Sequence, residues 1–163
     1  MGGTPRAVVV ADLDAAAPAE LVAVNTGDGT VGSNRPVTVL DPSGSAPLTD
    51  VAHVCAGGSY GPVSGLGDSP YRSACAVLTN GELRCWGMNQ FGQVGDGTGT
   101  TRLLPVAVSN AEGTGPLTDV AQVVVGGQGT CALLTDGAAR CWGAQAPGDG
   151  SGGSTRPRPV LVH

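Results

Sequence analysis

The cysteines are the residues of this sequence whose type and spacing could do chemistry. Cys75 and Cys85 are ten residues apart, as are Cys131 and Cys141, and each pair flanks an Asn-Gly or Asp-Gly turn. Such pairs could form disulfides, pack as small buried hydrophobic side chains, or bind a metal as thiolates. Metal binding is the least favoured, because the pairs lack the two-to-four-residue spacing of zinc knuckles.

The turn inside each pair decides whether the two cysteines face each other. With a two-residue hairpin loop, Cys75 and Cys85 are offset by one residue in the strand register and do not face each other. With a three-residue loop that has Gly81 in the left-handed conformation, Leu78 faces Glu82, and the cysteines meet at a non-hydrogen-bonded site with Cα atoms about 4.5 Å apart. That spacing is near the short end of what a disulfide tolerates. The same counting applies to the second pair, so we predict two cross-strand disulfides.

Cys55 does not belong to either pair. Its counterpart 69 residues later is Val124, so Cys55 is predicted to be a buried free thiol in the place of a valine. Disulfides would locate the protein in an oxidising compartment, extracellular or at the cell surface. Because the N-terminus lacks the long apolar stretch of a secretory signal, we expect Met1 to begin a fragment or an expression product.

The cysteine hairpin is one part of a longer repeat. The sequence CAVLTNGELRCWG at 75–87 returns as CALLTDGAARCWG at 131–143, and LTDVA occurs at both 48–52 and 117–121. A Gly-Asp-Gly turn followed by a Pro-Val strand occurs three times, with its turns at Gly27, Gly95 and Gly148. Each unit therefore predicts four short strands, and periods of this length are typical of propellers and solenoids.

Composition favours an all-β protein. The 163 residues include 28 Gly and 12 Pro, and many Val and Thr, which indicates short strands separated by turns. A net charge of −5 and the absence of lysine argue against nucleic acid as a partner. No apolar segment reaches the 18 residues or so of a transmembrane helix, so no membrane span is predicted.

The first repeat contains an insertion. It has sixteen residues, Ser59 to Ala74, where the second repeat has three, Gln128 to Thr130. Residues 59–72 are rich in Gly, Pro and Ser and include both tyrosines. We predict an extended loop at one edge of a blade, where binding surfaces are often built; the alternative is a surface loop with no partner. The candidate binding residues are Tyr60, Asp68, Tyr71 and Arg72.

These motifs resemble the regulator of chromosome condensation repeat family, and the paired cysteines are similar to its bacterial type. The matching parts are the Leu-Thr-Asp-Val strand, the Gly-Gly, the Cys-Ala-x-Leu-Thr-x-Gly hairpin, the Trp-Gly, and residues 89–97 leading to Pro105-Val. The resemblance implies β-propeller blades over 26–163, with units near 27–94, 95–147 and a partial unit at 148–163. The last unit departs from the pattern, because residues 144–147 replace the Asn-x-x-Gly-Gln segment.

The number of units predicts an open propeller. Closure takes about 4 to 8 blades, and four units at the shorter spacing of 53 residues would exceed the 163 present. We therefore expect about two to three four-stranded blades, a fragment of a seven-bladed propeller. An uncovered blade face would favour contact with the remaining blades of a longer parent chain or with a second copy.

Residues 1–25 fit the repeat poorly and are predicted to be degenerate blade strands. They also resemble the FG-GAP type of propeller repeat, in which an Asp-x-Asp-x-Asp loop holds calcium. The ligands would be Asp12, Asp14 and Glu20, but Ala16 replaces a third carboxylate, and calcium needs six to eight oxygens. We favour a solvated acidic turn and predict no metal or cofactor.

Catalysis finds little support in the sequence. His53 aligns with Gln122, His163 is terminal, and no base stands beside the serines of the insertion. The predicted function is a non-catalytic module, part of a larger secreted or surface protein. It would bind an unknown protein or glycan through the segment 59–72 and the Gly-Asp-Gly turns. The alternatives are a structural spacer and, by analogy with eukaryotic members of the family, guanine nucleotide exchange.

Overall fold

The computed structural model describes residues 10–11, 21–22, 38–62, 68–144 and 155–162, with the backbone alone for the first two ranges and for 58–62 and 68–72. Within these ranges no helix is long and apolar enough to cross a membrane. The strands are β1 Val10–Ala11, β2 Leu21–Val22, β3 Val51–Pro62, β4 Asp68–Leu78, β5 Leu83–Gly87, β6 Arg102–Ala107, β7 Val120–Val125, β8 Gly129–Leu134, β9 Ala139–Gly143 and β10 Arg156–Leu161.

The strands form two four-stranded antiparallel sheets and one short β1–β2 pair. The first sheet has the order β3-β4-β5-β6 and the second has the order β10-β9-β8-β7. We call these sheets the first blade and the second blade. The all-β, open, partial propeller that the repeats predict is confirmed.

Each blade takes its fourth strand from the chain that follows the Trp-Gly strand. Val106 of β6 pairs with Cys85 of β5, and Val160 of β10 pairs with Cys141 of β9. The blades therefore run from Val51 to Ala107 and from Val120 to Leu161. A repeat unit counted from its Gly-Asp-Gly turn starts with the Pro-Val strand, whereas a blade ends with that strand. In the first blade the turn region 88–101 reverses the chain, so the Pro-Val strand lies beside the Trp-Gly strand that precedes it.

The hairpin between the paired cysteines has the predicted three-residue loop. The amide of Leu78 donates to the carbonyl of Glu82 at 2.8 Å, and the amide of Gly81 donates to the carbonyl of Leu78 at 2.9 Å. Gly81 has φ of 81° and Gly137 of the second hairpin has φ of 87°. Only glycine adopts this left-handed conformation without steric cost, so the turn glycines set the register of both hairpins.

The main hydrophobic core lies between the two blades. Its buried members are Cys75, Val77, Leu83, Cys85, Val94, Val108, Leu117, Val120, Val123, Val125, Ala132 and Trp142. A second, smaller cluster around Trp86 covers the opposite face of the first blade. The outer face of the second blade is open, since Val124 is 66% exposed and Leu133 is 41% exposed.

Candidate functional site

The insertion in the first repeat is a two-stranded ribbon and not the loop that its composition predicts. β3 has 12 residues and β4 has 11, whereas the equivalent β7 and β8 have 6 each. The pairing continues without a register shift from Cys55 opposite Cys75 to Pro62 opposite Asp68. We call the part from Gly58–Arg72 to Pro62–Asp68 the ribbon. Its prolines are compatible with a ladder beside which the described part of the chain places no further strand.

The ribbon contains all the predicted binding residues. Arg72 is opposite Gly58, Tyr71 is opposite Ser59, and Tyr60 is opposite Pro70. Asp68 forms the last described pair, with Pro62. The side chains of these four candidates lie outside the described residues, so their role in binding stays a prediction. What the backbone adds is that all four belong to one hairpin.

The Gly-Asp-Gly turn at Gly95 directs its carboxylate into the chain itself. Oδ1 of Asp96 accepts the amide of Thr98 at 2.9 Å and its hydroxyl at 2.8 Å. Oδ2 accepts Nε of Arg102 at 2.6 Å. The Asp96 side chain is only 8% exposed. This turn therefore has a structural role, while the turns at Gly27 and Gly148 lie outside the described residues.

The buried side chain of Asn89 forms hydrogen bonds to the same turn. Nδ2 of Asn89 donates to Oδ1 of Asp96 at 3.1 Å, to the carbonyl of Thr98 at 3.1 Å and to the carbonyl of Thr100 at 3.0 Å. Its Oδ1 accepts the amide of Val94 at 2.9 Å. Asn89 is fully buried, and these bonds satisfy both ends of its amide. The network fixes the segment that leads into β6.

The pKa of Asp96 reflects this network. Burial raises the pKa, but the hydrogen bonds from Thr98, Arg102 and Asn89 favour the ionised form and outweigh it. The net result is a pKa below the ordinary value of 3.8. The ionised carboxylate therefore stabilises the folded state.

We expect Asp96→Asn to lower the free energy of unfolding by about 2 kcal/mol at neutral pH, since it removes hydrogen bonds to a charged group. A lowered folded-state pKa contributes stability that is present above the unfolded pKa and is lost as pH falls through the folded pKa. The deficit of the variant should therefore shrink below about pH 4. Urea denaturation of both proteins between neutral pH and pH 3 measures this, and a deficit that does not change with pH would contradict it.

Trp142 links the second blade to the turn region of the first. Its Nε1 donates to the carbonyl of Gln93 at 3.0 Å, and the hydroxyl of Thr130 donates to the same carbonyl at 2.9 Å. Gly95 lies directly against the indole, because a Cβ at Gly95 would come within 2.5 Å of Nε1. Trp142 is fully buried. The Trp-Gly motif of the second blade is thus an interblade contact.

The paired cysteines form the two disulfides that the register predicts. Cys75 is bonded to Cys85 and Cys131 to Cys141, with Cα atoms 4.1 Å apart in both. The two bonds differ in environment. Cys75 and Cys85 are fully buried between the blades, whereas Cys131 is half-buried. The first disulfide is therefore shielded by the second blade.

Cys55 is free, as predicted, but the prediction that it is buried was wrong, and sequence reasoning missed its position. It is half-buried and lies directly opposite Cys75. The second blade contained the signal that could have revealed this. Its tight turn at 126–129 places Val124 opposite Cys131, and Val124 and Cys131 are the repeat equivalents of Cys55 and Cys75.

The calcium candidates Asp12, Asp14 and Glu20 lie outside the described residues. The structure describes only short strands on either side of them, with Val10 opposite Val22 and Ala11 opposite Leu21. Within the described ranges, no three His, Cys, Asp or Glu side chains are grouped in a way that could hold a metal ion.

Two antiparallel four-stranded blades, packed face to face and joined through the Trp-Gly strand, define a protein of the β-propeller repeat class. Residues 80–133 match the family model described as regulator of chromosome condensation (RCC1) repeat. The resemblance of this part of the chain to the repeat family, which the sequence motifs indicated, is confirmed, while the bacterial type stays a prediction.

Comparison with the solved structure of human WBSCR16 supports this fold. Human WBSCR16 is 22% identical, with a TM-score of 0.51 over 72% of this chain and 28% of that chain. Prp20p from Saccharomyces cerevisiae, a structure reported with its binding properties to Gsp1p and histones, is 19% identical, with a TM-score of 0.49 over 71% of this chain and 27% of that chain. The chain thus spans less than a third of the length of these proteins.

Proposed function

We propose that the chain is a protein-binding repeat module that contacts its partner through the ribbon at the end of β3 and β4. The observation that supports this most strongly is the difference between two otherwise equivalent blades. Their β5 and β9 strands have 5 residues each, and their β6 and β10 strands have 6 each. Only the β3–β4 hairpin is lengthened, so the ribbon is not needed to build a blade of this type.

The size of the ribbon supports a role in contact with another molecule. Five consecutive residue pairs, from Gly58–Arg72 to Pro62–Asp68, extend it by roughly 13–17 Å at about 3.3 Å per residue. A backbone-paired hairpin costs less conformational entropy to order on binding than a flexible loop of the same length. Tyrosine and arginine, which this ribbon contains, are enriched in binding hot spots.

The other polar segment at this end of the first blade is engaged internally. Asp96 and Asn89 direct their polar groups to the turn and to β6, so they do not offer a comparable surface. We also propose that the module works in an oxidising compartment, outside the cell or at its surface, because its two disulfides would be reduced slowly or not at all there.

A ribbon-trimmed variant tests the proposal. Replacing residues 59–74 by Gln-Gly-Thr gives the first blade the connection that the second blade has at 128–130. The probes are a random peptide display library and a glycan array, each applied to the full chain and to the trimmed chain. We expect to find peptides that bind the full chain and that bind the trimmed chain at least about tenfold more weakly. The trimmed chain should have the same melting temperature as the full chain.

Three results would overturn this proposal. Peptides that bind both chains equally would locate the site elsewhere. Glycan binding that disappears with the ribbon, without any peptide binding, would identify a glycan-binding module. No binding by any probe would favour the spacer. Tyr60→Ala and Tyr71→Ala, which keep the ribbon backbone, serve as matched variants and should each weaken peptide binding.

A further inference from the structure

Three cysteines of the first blade lie side by side across adjacent strands. Cys55 of β3 is opposite Cys75 of β4, and Cys75 is opposite Cys85 of β5. Cys75 and Cys85 belong to the core between the blades, and Cys55 packs against that core. A free thiol therefore stands next to a disulfide on the same face of one sheet.

The spacing allows Cys75 to bond to either neighbour. The Cα atoms of Cys75 and Cys85 are 4.1 Å apart, which is the close spacing of a non-hydrogen-bonded pair. The N–H and C=O of Cys75 then point to β3, so Cys75 and Cys55 form a hydrogen-bonded pair with a typical Cα separation of about 5.5 Å. Disulfides span Cα separations of about 4.4–6.8 Å. A Cys55–Cys75 bond is thus compatible with the same backbone.

The buried disulfide is accessible to the thiol of Cys55 but not to a thiol in solution. Cys75 and Cys85 are both 0% exposed, so a small thiol in solution cannot reach their sulfurs while the blades are packed. Cys55 is half-buried at the border of the same core. Its Sγ accepts the amide of Val125 at 3.3 Å, which holds the side chain toward the second blade.

We propose that Cys55 exchanges with the buried disulfide. The thiolate of Cys55 attacks Sγ of Cys75, the Cys55–Cys75 bond forms, and the Cys75–Cys85 bond breaks. Cys85 leaves as a thiolate and takes up a proton, which replaces the one that Cys55 lost. One disulfide and one thiol are present before and after the step, so no oxidant or reductant is consumed.

The exchange changes which strands are covalently joined. In one state the bond joins β4 to β5, and in the other it joins β3 to β4. The Cys55–Cys75 pair lies three register positions from Gly58–Arg72, where the ribbon begins. The second state therefore clamps the base of the ribbon. The exchange itself does not depend on the proposed binding function of the ribbon.

The second blade is an internal control. Val124 occupies the position of Cys55, opposite Cys131, while Cys131 and Cys141 form the equivalent disulfide. This blade has a disulfide in the same register but no adjacent thiol. Any exchange that depends on the row of three cysteines must therefore be confined to the first blade.

Paired variants test whether Cys55 and Cys75 can bond in the folded chain. In Cys85→Ser, mild oxidation should join Cys55 to Cys75, and the oxidised protein should take up no maleimide when it is unfolded in guanidinium. In the matched Cys141→Ser, Cys131 faces Val124 and should remain free, so maleimide should label Cys131 under the same conditions. Labelling of Cys55 and Cys75 in oxidised Cys85→Ser would overturn the proposal.

The exchange is then followed in the unaltered chain. The chain is held without reductant and is then unfolded in guanidinium in the presence of maleimide, so that a buried thiol can also react. It is digested with trypsin, which cleaves at Arg72 and Arg84 between the three cysteines. Mass spectrometry should find Cys55 linked to Cys75 and at least about tenfold more label on Cys85 than on Cys141. Cys55→Val, which copies the second blade, should abolish the label on Cys85. Label on Cys55 alone, or disulfides between the two blades, would overturn the exchange.

Discussion

Trp142→Ala should lower the free energy of unfolding by about 3–5 kcal/mol, the usual cost of truncating a buried tryptophan. The side chain is fully buried in the core between the blades. Its loss leaves a cavity beside Gly95 and removes the donor at 3.0 Å from the carbonyl of Gln93. Because the indole joins the second blade to the turn region of the first, we expect both blades to lose protection from hydrogen exchange.

Trp142→Phe separates packing from hydrogen bonding in this contact. It keeps most of the buried apolar surface, and the carbonyl of Gln93 still accepts the hydroxyl of Thr130 at 2.9 Å. The free energy of unfolding should fall by about 1 kcal/mol, because the hydrogen bond from the indole is lost. Urea denaturation followed by the fluorescence of the remaining Trp86 measures both variants. If the alanine variant is no less stable than the phenylalanine variant, the indole does not clamp the blades.

Gly57→Ala is expected to lower the free energy of unfolding by about 3 kcal/mol, which is at the upper end of the usual range for overpacking. A Cβ at Gly57 of β3 would lie 2.0 Å from the carbonyl oxygen of Val125 in β7. Both atoms belong to strand backbones, so no side chain can rotate away to make room. The first and second blades would have to separate at this point, which also weakens the bond from the amide of Val125 to Cys55.

Gly99→Ala is the matched control for this substitution. A Cβ there has no neighbour closer than 3.7 Å, and the residue is exposed. Gly99→Ala should change the free energy of unfolding by no more than about 0.5 kcal/mol. Equal stability of the two alanine variants in urea denaturation would contradict the close approach of β3 and β7. Faster exchange of the Val125 amide in Gly57→Ala alone would support it.

Local features of this protein were predictable from the sequence because they depend on residues close in the chain. The Asn-Gly turn determines the loop of the first hairpin, and the loop determines that Cys75 faces Cys85. The same reasoning holds for the second hairpin. The insertion was harder to interpret, since Gly, Pro and Ser favour turns, yet the register of β3 and β4 continues through it without a shift.

Contacts between distant segments were not predictable in the same way. The sequence alone does not show that β6 completes the first blade, nor that the carboxylate of Asp96 faces inward to Arg102 and Asn89. It also gives no indication that Gly57 meets the backbone of Val125. Each of these contacts requires the two blades or the turn region to be in place.

The sequence by itself determined the repeat, the strand order within each hairpin and the cysteine pairing, and the resemblance of its motifs to a known repeat family indicated the propeller class. The hairpin features follow from short-range pairing, in which turn geometry fixes the register. Only the tertiary structure decided which disulfide is buried and that the insertion continues a sheet as a ribbon. The physical reason is that burial and strand partnership across long separations are set by packing between blades, which no local pattern specifies.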